Sequence, residues 1–160
     1  MRTGGSGADP STDGAPMPIG TVVFRPRTNT KDVRVQVMTL PDDYLVRRWQ
    51  DQWAVVGPTG LFVVGRDDGD TPACARRTSS AAHLLRTRLA DLVPWTPFVD
   101  AVVVSDQERS DLSCRVIEVD HLEEALTGGG AELDDPALHL LRHHLPGVVQ
   151  DLGREASYPA

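Results

Sequence analysis

Trp53-Ala54-Val55-Val56-Gly57-Pro58-Thr59-Gly60-Leu61-Phe62-Val63-Val64 is the stretch that decides the fold of this 160-residue chain. Two four-residue apolar runs flank Gly57-Pro58-Thr59-Gly60, the pattern of a β-hairpin with a four-residue loop. Neither run alternates with polar residues. Strands that are apolar on both faces are buried on both faces. The hairpin is therefore expected at the centre of a sheet with helices over it.

Downstream, Arg66-Asp67-Asp68-Gly69-Asp70 reads as a solvated polar turn. Thr71 can cap a helix and Pro72 suits its first position, so a helix is expected over 72–93, stopped by Pro94. Ala81, Leu84, Leu85, Leu89 and Leu92 form its apolar stripe. Leu85 and Leu89 are expected against Val55, Val63 and Val103. Phe98–Ser105 reads as a buried central strand and Arg115–Val119 as a further one. A short helix over 121–126, capped by Asp120, should stop at Gly128-Gly129-Gly130. A last helix is capped by Asp134 or Asp135, with Pro136 in its first turn and Leu138, Leu141 and Leu145 on its buried face.

Upstream, Thr21–Arg25 is a short β-branched and aromatic run. Val33, Val35 and Val37 alternate with Arg34, Gln36 and Met38, the period of a half-exposed strand. Pro41-Asp42-Asp43 marks a turn, and Tyr44–Arg48 an extended piece. Residues 1–19 are rich in Gly, Ser, Pro, Asp and Ala and bury too little to offset the entropy of ordering. They are expected as a disordered tail, with Met17 an alternative start. The expected organisation is a tail over 1–19, one domain over 20–149 and a flexible tail over 150–160. The fold class is α/β: a central mixed β-sheet, the long helix on one face and short helices at the C-terminus.

Composition excludes several classes of function. With 40% hydrophobic residues the chain can bury a core, and with 5% aromatics that core is mostly Val, Leu and Ala. No apolar run is long enough to span a membrane. The net charge is −7. Residues 102–160 hold four basic and twelve acidic groups, which repels phosphate backbones. The basic groups Arg25, Arg27, Lys31, Arg34, Arg47 and Arg48 are interrupted and read as a solvated face, so nucleic acid is not expected as a partner. The N-terminus has no apolar h-region and Cys74 and Cys114 lie in no paired motif. Free thiols and a cytoplasmic location are expected.

The stretch from about Val33 to Leu126 resembles the nuclease-related domain (NERD) family, itself thought to be a relative of the PD-(D/E)xK nuclease fold. The resemblance rests on Gly57-Pro58-Thr59-Gly60 followed by Leu61–Val64, on the Arg- and Ala-rich helix, on Trp95-Thr96-Pro97 leading to Val102–Val104, and on Val116–Val119 leading to the Leu122–Leu126 helix. It implies a PD-(D/E)xK-like core with two carboxylates and a lysine around a Mg²⁺ ion. It also implies a helix with an acidic residue before the first strand, where strands are expected here. The family's Asp falls at Gln52, its second carboxylate at Gly65 and its Lys at Asp67. All three groups are replaced.

A migrated site could draw on Asp51, Asp67, Asp68 and Asp70, but Asp51 is one residue off and points to the opposite strand face. Lys31, the only lysine, precedes the hairpin, and Arg66 stays protonated and is no base. The expected function is accordingly a non-catalytic scaffold or interaction module with a protein partner and no cofactor. The alternative is a Mg²⁺-dependent nuclease or nucleic-acid-processing domain with a migrated site.

Other motifs carry less. Asp67-Asp68-Gly69-Asp70 lacks the alternating ligands and the final Glu of a Ca²⁺ loop. His139 and His143 have zinc-ligand spacing but project opposite the leucine face. Ser79-Ser80 has no nucleophile elbow, and Trp49, Trp53 and Trp95 read as packing residues.

Overall fold

The computed structural model describes residues 30–109 and 111–157. The expected tail over 1–19 and the run Thr21–Arg25 lie outside the described residues. The elements are α1 (Thr30–Met38), β1 (Leu45–Trp49), β2 (Gln52–Gly57), β3 (Gly60–Arg66), α2 (Thr71–Ala90), β4 (Val99–Ser105), β5 (Arg115–Glu118), a 3₁₀ turn (Val119–His121), α3 (Leu122–Thr127) and α4 (Asp135–Ser157). One mixed sheet has the order β1-β2-β3-β4-β5. β1, β2 and β3 run antiparallel, whereas β4 and β5 join β3 in parallel.

The hairpin lies at the sheet centre with helices on both faces, as its double-sided apolarity predicts. Gly57 pairs with Gly60, so the loop is Pro58-Thr59 and not four residues. Gly60 takes φ +137°, a region that side chains rarely enter. Gly57 is required by a close approach: an added Cβ would lie 2.2 Å from the Tyr44 ring. The Tyr44 hydroxyl lies 2.8 Å from Thr59 Oγ1, which ties the start of β1 to the hairpin tip.

Alternation along the strands sorts the core into two layers. Ala54, Val56, Leu61 and Val63 face Leu85 and Leu89 of α2 and Leu141, Leu145 and Leu152 of α4. Trp53, Val55, Phe62, Val64, Val102 and Val104 face Val33 and Val37 of α1 and Leu122 and Leu126 of α3. Leu85 and Leu89 therefore share a layer with Val63, as expected, but not with Val55, which points the other way. Val103 packs with Cys74, Ala75 and Val116 instead. Leu84 and Leu92, read as part of the buried stripe, are 41% and 47% exposed. The sheet covers a narrower strip of α2 than the spacing of Leu84 suggests, and Leu92 lies beyond the end of the helix.

Three boundaries differ from expectation for identifiable reasons. Val33, Val35 and Val37 lie in a helix, not a strand. The V-x-V-x-V pattern also contains the i, i+4 pair Val33 and Val37; both are buried, while Val35 is 52% exposed. Burial on the sheet overrides the modest helix cost of valine. α2 begins one residue early, because Asp70 and not Thr71 caps it, its Oδ1 accepting from the Ala73 amide at 3.1 Å. It ends at Ala90, short of Val93.

The third difference is α4. It spans 23 residues, so the C-terminal helix is not short, and it passes through Pro146 to Ser157. The stretch expected as a flexible tail from 150 is thus helical through 157. An interior proline costs about 3 kcal/mol through its missing N–H and ring clash. Burial of Leu141, Leu145, Val148, Val149 and Leu152 offsets this at roughly 1.5–3 kcal/mol per side chain. Asp134, one of the two candidate caps, accepts from the Ala137 amide at 2.9 Å. Among the described residues, no helix is long and apolar enough to cross a membrane.

Candidate functional site

Gln52, Gly65 and Asp67 fall on the α2 side of the sheet, in phase with Ala54 on β2 and Val63 on β3. The strand register thus brings together the positions that the resemblance singles out. Their surroundings do not suit a metal centre. Gly65 is buried, and a Cβ there would lie 2.2 Å from Thr78 Oγ1 and 3.3 Å from Thr78 Cβ. Thr78 is itself 1% exposed, and its hydroxyl donates to the Cys74 carbonyl at 2.8 Å. Helix α2 therefore fills the space that a carboxylate at position 65 would need. Gln52 is half-buried, with a buried Oε1 that accepts no hydrogen bond among the described residues.

Asp67 is half-buried rather than solvated. Its Oδ2 accepts from the Thr71 hydroxyl at 2.5 Å and the Ser105 hydroxyl at 2.7 Å, and its Oδ1 from the Gly69 amide at 2.9 Å. Burial pushes its pKa up. The hydrogen bonds from Thr71, Gly69 and Ser105, with the Arg109 charge, outweigh that and hold it below the ordinary value of 3.8. The ionised carboxylate acts as a strut joining the end of β3, the first turn of α2 and the end of β4.

The neighbouring carboxylates are also engaged. Asp68 pairs with Arg77 at 2.9 Å. Asp70 caps α2. Asp51 is exposed in the β1–β2 turn beside Gln50, whose φ is +58°. Among the described residues, no three His, Cys, Asp or Glu side chains are grouped to hold a metal. Lys31 lies in α1, on the opposite layer from Gly65. A Mg²⁺ ion bound by protein needs one or two carboxylates free to coordinate it. The residues present, an amide, a glycine and an Asp already accepting three hydrogen bonds, do not fit it.

The thiols are no better placed for chemistry. Cys74 and Cys114 are both free. Burial raises both thiol pKa values, and Cys74 Sγ donates to the Arg66 carbonyl at 3.0 Å. Such thiols are poor nucleophiles. His139 and His143 are exposed on α4, as their spacing against the leucines predicts.

A second region was not legible in the sequence. A cleft of about 850 Å³ opens beside α3 and the loop that follows it, with residues of both core layers in its lining. Leu61, Phe62, Ile117, Leu126 and Leu133 give it apolar walls, and Trp95 and Phe98 stand beside them. Phe98 is 76% exposed. Polar groups come from Asp100, Glu108, Arg115, His121, Glu124 and Glu132. Arg115 pairs with Asp100 at 2.9 Å, and His121 Nδ1 lies 2.5 Å from Glu108. The hydrogen bond to Glu108, with the surrounding carboxylates, raises the pKa of His121.

The hairpin tip fixes one wall of this cleft. Thr59 Oγ1 donates to the Leu126 carbonyl, and the Pro58 carbonyl accepts from the amides of Glu132 and Leu133 at 2.9 and 3.1 Å. The residues of the cleft come from five separated stretches of chain, so no spacing rule could collect them. The available signals were the Trp95-Thr96-Pro97-Phe98 cluster and the acidic run that follows β5. No family model, curated protein or solved structure matches this chain.

Proposed function

We propose that this domain is a non-catalytic interaction module, built on a degenerate NERD-like, PD-(D/E)xK-like core. The observation that carries this reading is the contact between Gly65 and Thr78. Where the resemblance calls for a metal-binding carboxylate, any side chain would overlap the buried Thr78 hydroxyl of α2. The order of elements supports the resemblance itself: a helix before the first strand, the GPxG hairpin, a long helix and then a parallel strand. α1 supplies the helix that the resemblance implies, in a place where the sequence pattern suggested a strand.

The test is direct. Purified protein is incubated with supercoiled, linear and single-stranded DNA and with RNA, in Mg²⁺ and in Mn²⁺. No cleavage is expected. Cleavage that survives repurification and is lost in the Asp67→Asn, Asp68→Asn double variant would show a migrated site and overturn the reading.

A further inference from the structure

We infer that the cleft beside α3 docks an extended, basic peptide segment of a separate protein partner, an inference that rests on the interaction-module reading. Three independent features converge there. The first is a free strand edge. The β4–β5 ladder begins only at Val102 opposite Arg115, so among the described residues Val99, Asp100 and Ala101 have no strand beside them on that side. Asp100 of this edge lines the cleft. A strand edge without a neighbour is a ready template for an added strand.

The second is an apolar anchor point. Phe98 immediately precedes the free edge and is 76% exposed, with half-buried Trp95 nearby. An exposed aromatic at the mouth of an apolar-walled cleft marks a contact surface. The third is charge. Asp100 is met by Arg115 and Glu108 by His121, whereas Glu124 and Glu132 are exposed and have no ion-pair partner among the described residues. The unbalanced charge of the lining is negative. It selects lysine- or arginine-bearing segments and repels acidic ones and phosphate backbones. Main-chain pairing gives the binding mode, the aromatic pair the anchoring and the glutamates the sign of the partner.

The experiment is selection of a phage-displayed library of random 12-residue peptides against the immobilised full chain. The winners are then synthesised and titrated against wild type, Phe98→Ala and the Glu124→Lys, Glu132→Lys double variant. Thermal melts confirm that these exposed substitutions leave the fold intact. The expected winners are rich in Arg or Lys with an apolar side chain at alternate positions. They should bind each variant at least tenfold more weakly and weaken with added salt. Recovery of no binders, of acidic or uncharged ones, or of binders indifferent to both variants would overturn the inference. Competition by a synthetic peptide of residues 20–28, GTVVFRPRT, would make this chain its own occupant and overturn the assignment to a separate partner. An empty cleft with no cleavage of nucleic acid leaves the module reading standing. Cleavage removes that reading whatever the cleft binds.

Discussion

The hydroxyl of Thr78 occupies the space that a Cβ on Gly65 would need, 2.2 Å from where that atom would stand. Both residues are buried, so neither can turn into solvent to relieve the overlap. Gly65→Ala should therefore destabilise the domain by about 1–3 kcal/mol, the usual cost of overpacking. Adding Thr78→Ala removes the hydroxyl and the methyl. In urea denaturation the double variant should lose less stability than the two singles summed. Strict additivity would show that α2 does not press on position 65.

Leu89 is fully buried in the layer that contains Val63, whereas Val55 lies in the opposite layer. Leu89→Ala should cost about 2–5 kcal/mol. In double-mutant cycles Leu89→Ala should couple to Val63→Ala and be additive with Val55→Ala. A loss below about half a kcal/mol, well under the range for a buried leucine, would mean that another face of α2 meets the sheet.

The pH dependence of stability follows from Asp67. Its folded pKa lies below the ordinary 3.8, because three hydrogen bonds and Arg109 outweigh burial. Its stabilisation is therefore fully present above that ordinary value and is lost as pH falls through the folded pKa. Asp67→Asn should lower stability at neutral pH and make the melting temperature fall less steeply below pH 4 than in wild type. Parallel acid limbs for the two proteins would show that Asp67 carries no such linkage.

The C-terminal end of α4 belongs to the core. Leu152 is 2% exposed and Arg154 is exposed. Leu152→Ala should cost about 2–5 kcal/mol, and Arg154→Ala less than about half a kcal/mol, as is usual at the surface. Proteolysis that trims the chain at 150 without lowering the melting temperature would contradict this packing.

The parts of the fold that were legible are those in which local pattern and tertiary burial agree. The hairpin of Trp53–Val64, the apolar run Val102–Val104 and Leu141 and Leu145 of α4 are buried as their spacing marks, with Leu138 partly buried beside them. Val33–Val37 was misread because one short pattern satisfies both the strand period and the i, i+4 period, and only the presence of the sheet face decides between them. The end of α4 was not legible because the burial that carries the helix past Pro146 to Ser157 is non-local. At the candidate site, the resemblance singled out Gln52, Gly65 and Asp67. It could not reveal that Thr78, thirteen residues after Gly65, fills the gap, or that Ser105 of β4 holds Asp67. The cleft was invisible because Thr59, Phe98, Arg115 and Glu132 meet only once the sheet is assembled.

Metal binding is the most direct test of the claim that the core has kept its architecture without its chemistry. Free Mn²⁺ gives a six-line electron paramagnetic resonance signal that is lost on binding. With an equimolar amount of this protein at tens of micromolar, the signal should keep its full amplitude. The site offers an amide, a glycine and a carboxylate already committed to Thr71, Ser105 and Gly69. A stoichiometric loss of free signal, restored by the Asp67→Asn, Asp68→Asn double variant, would show that these carboxylates hold a metal and would contradict the account.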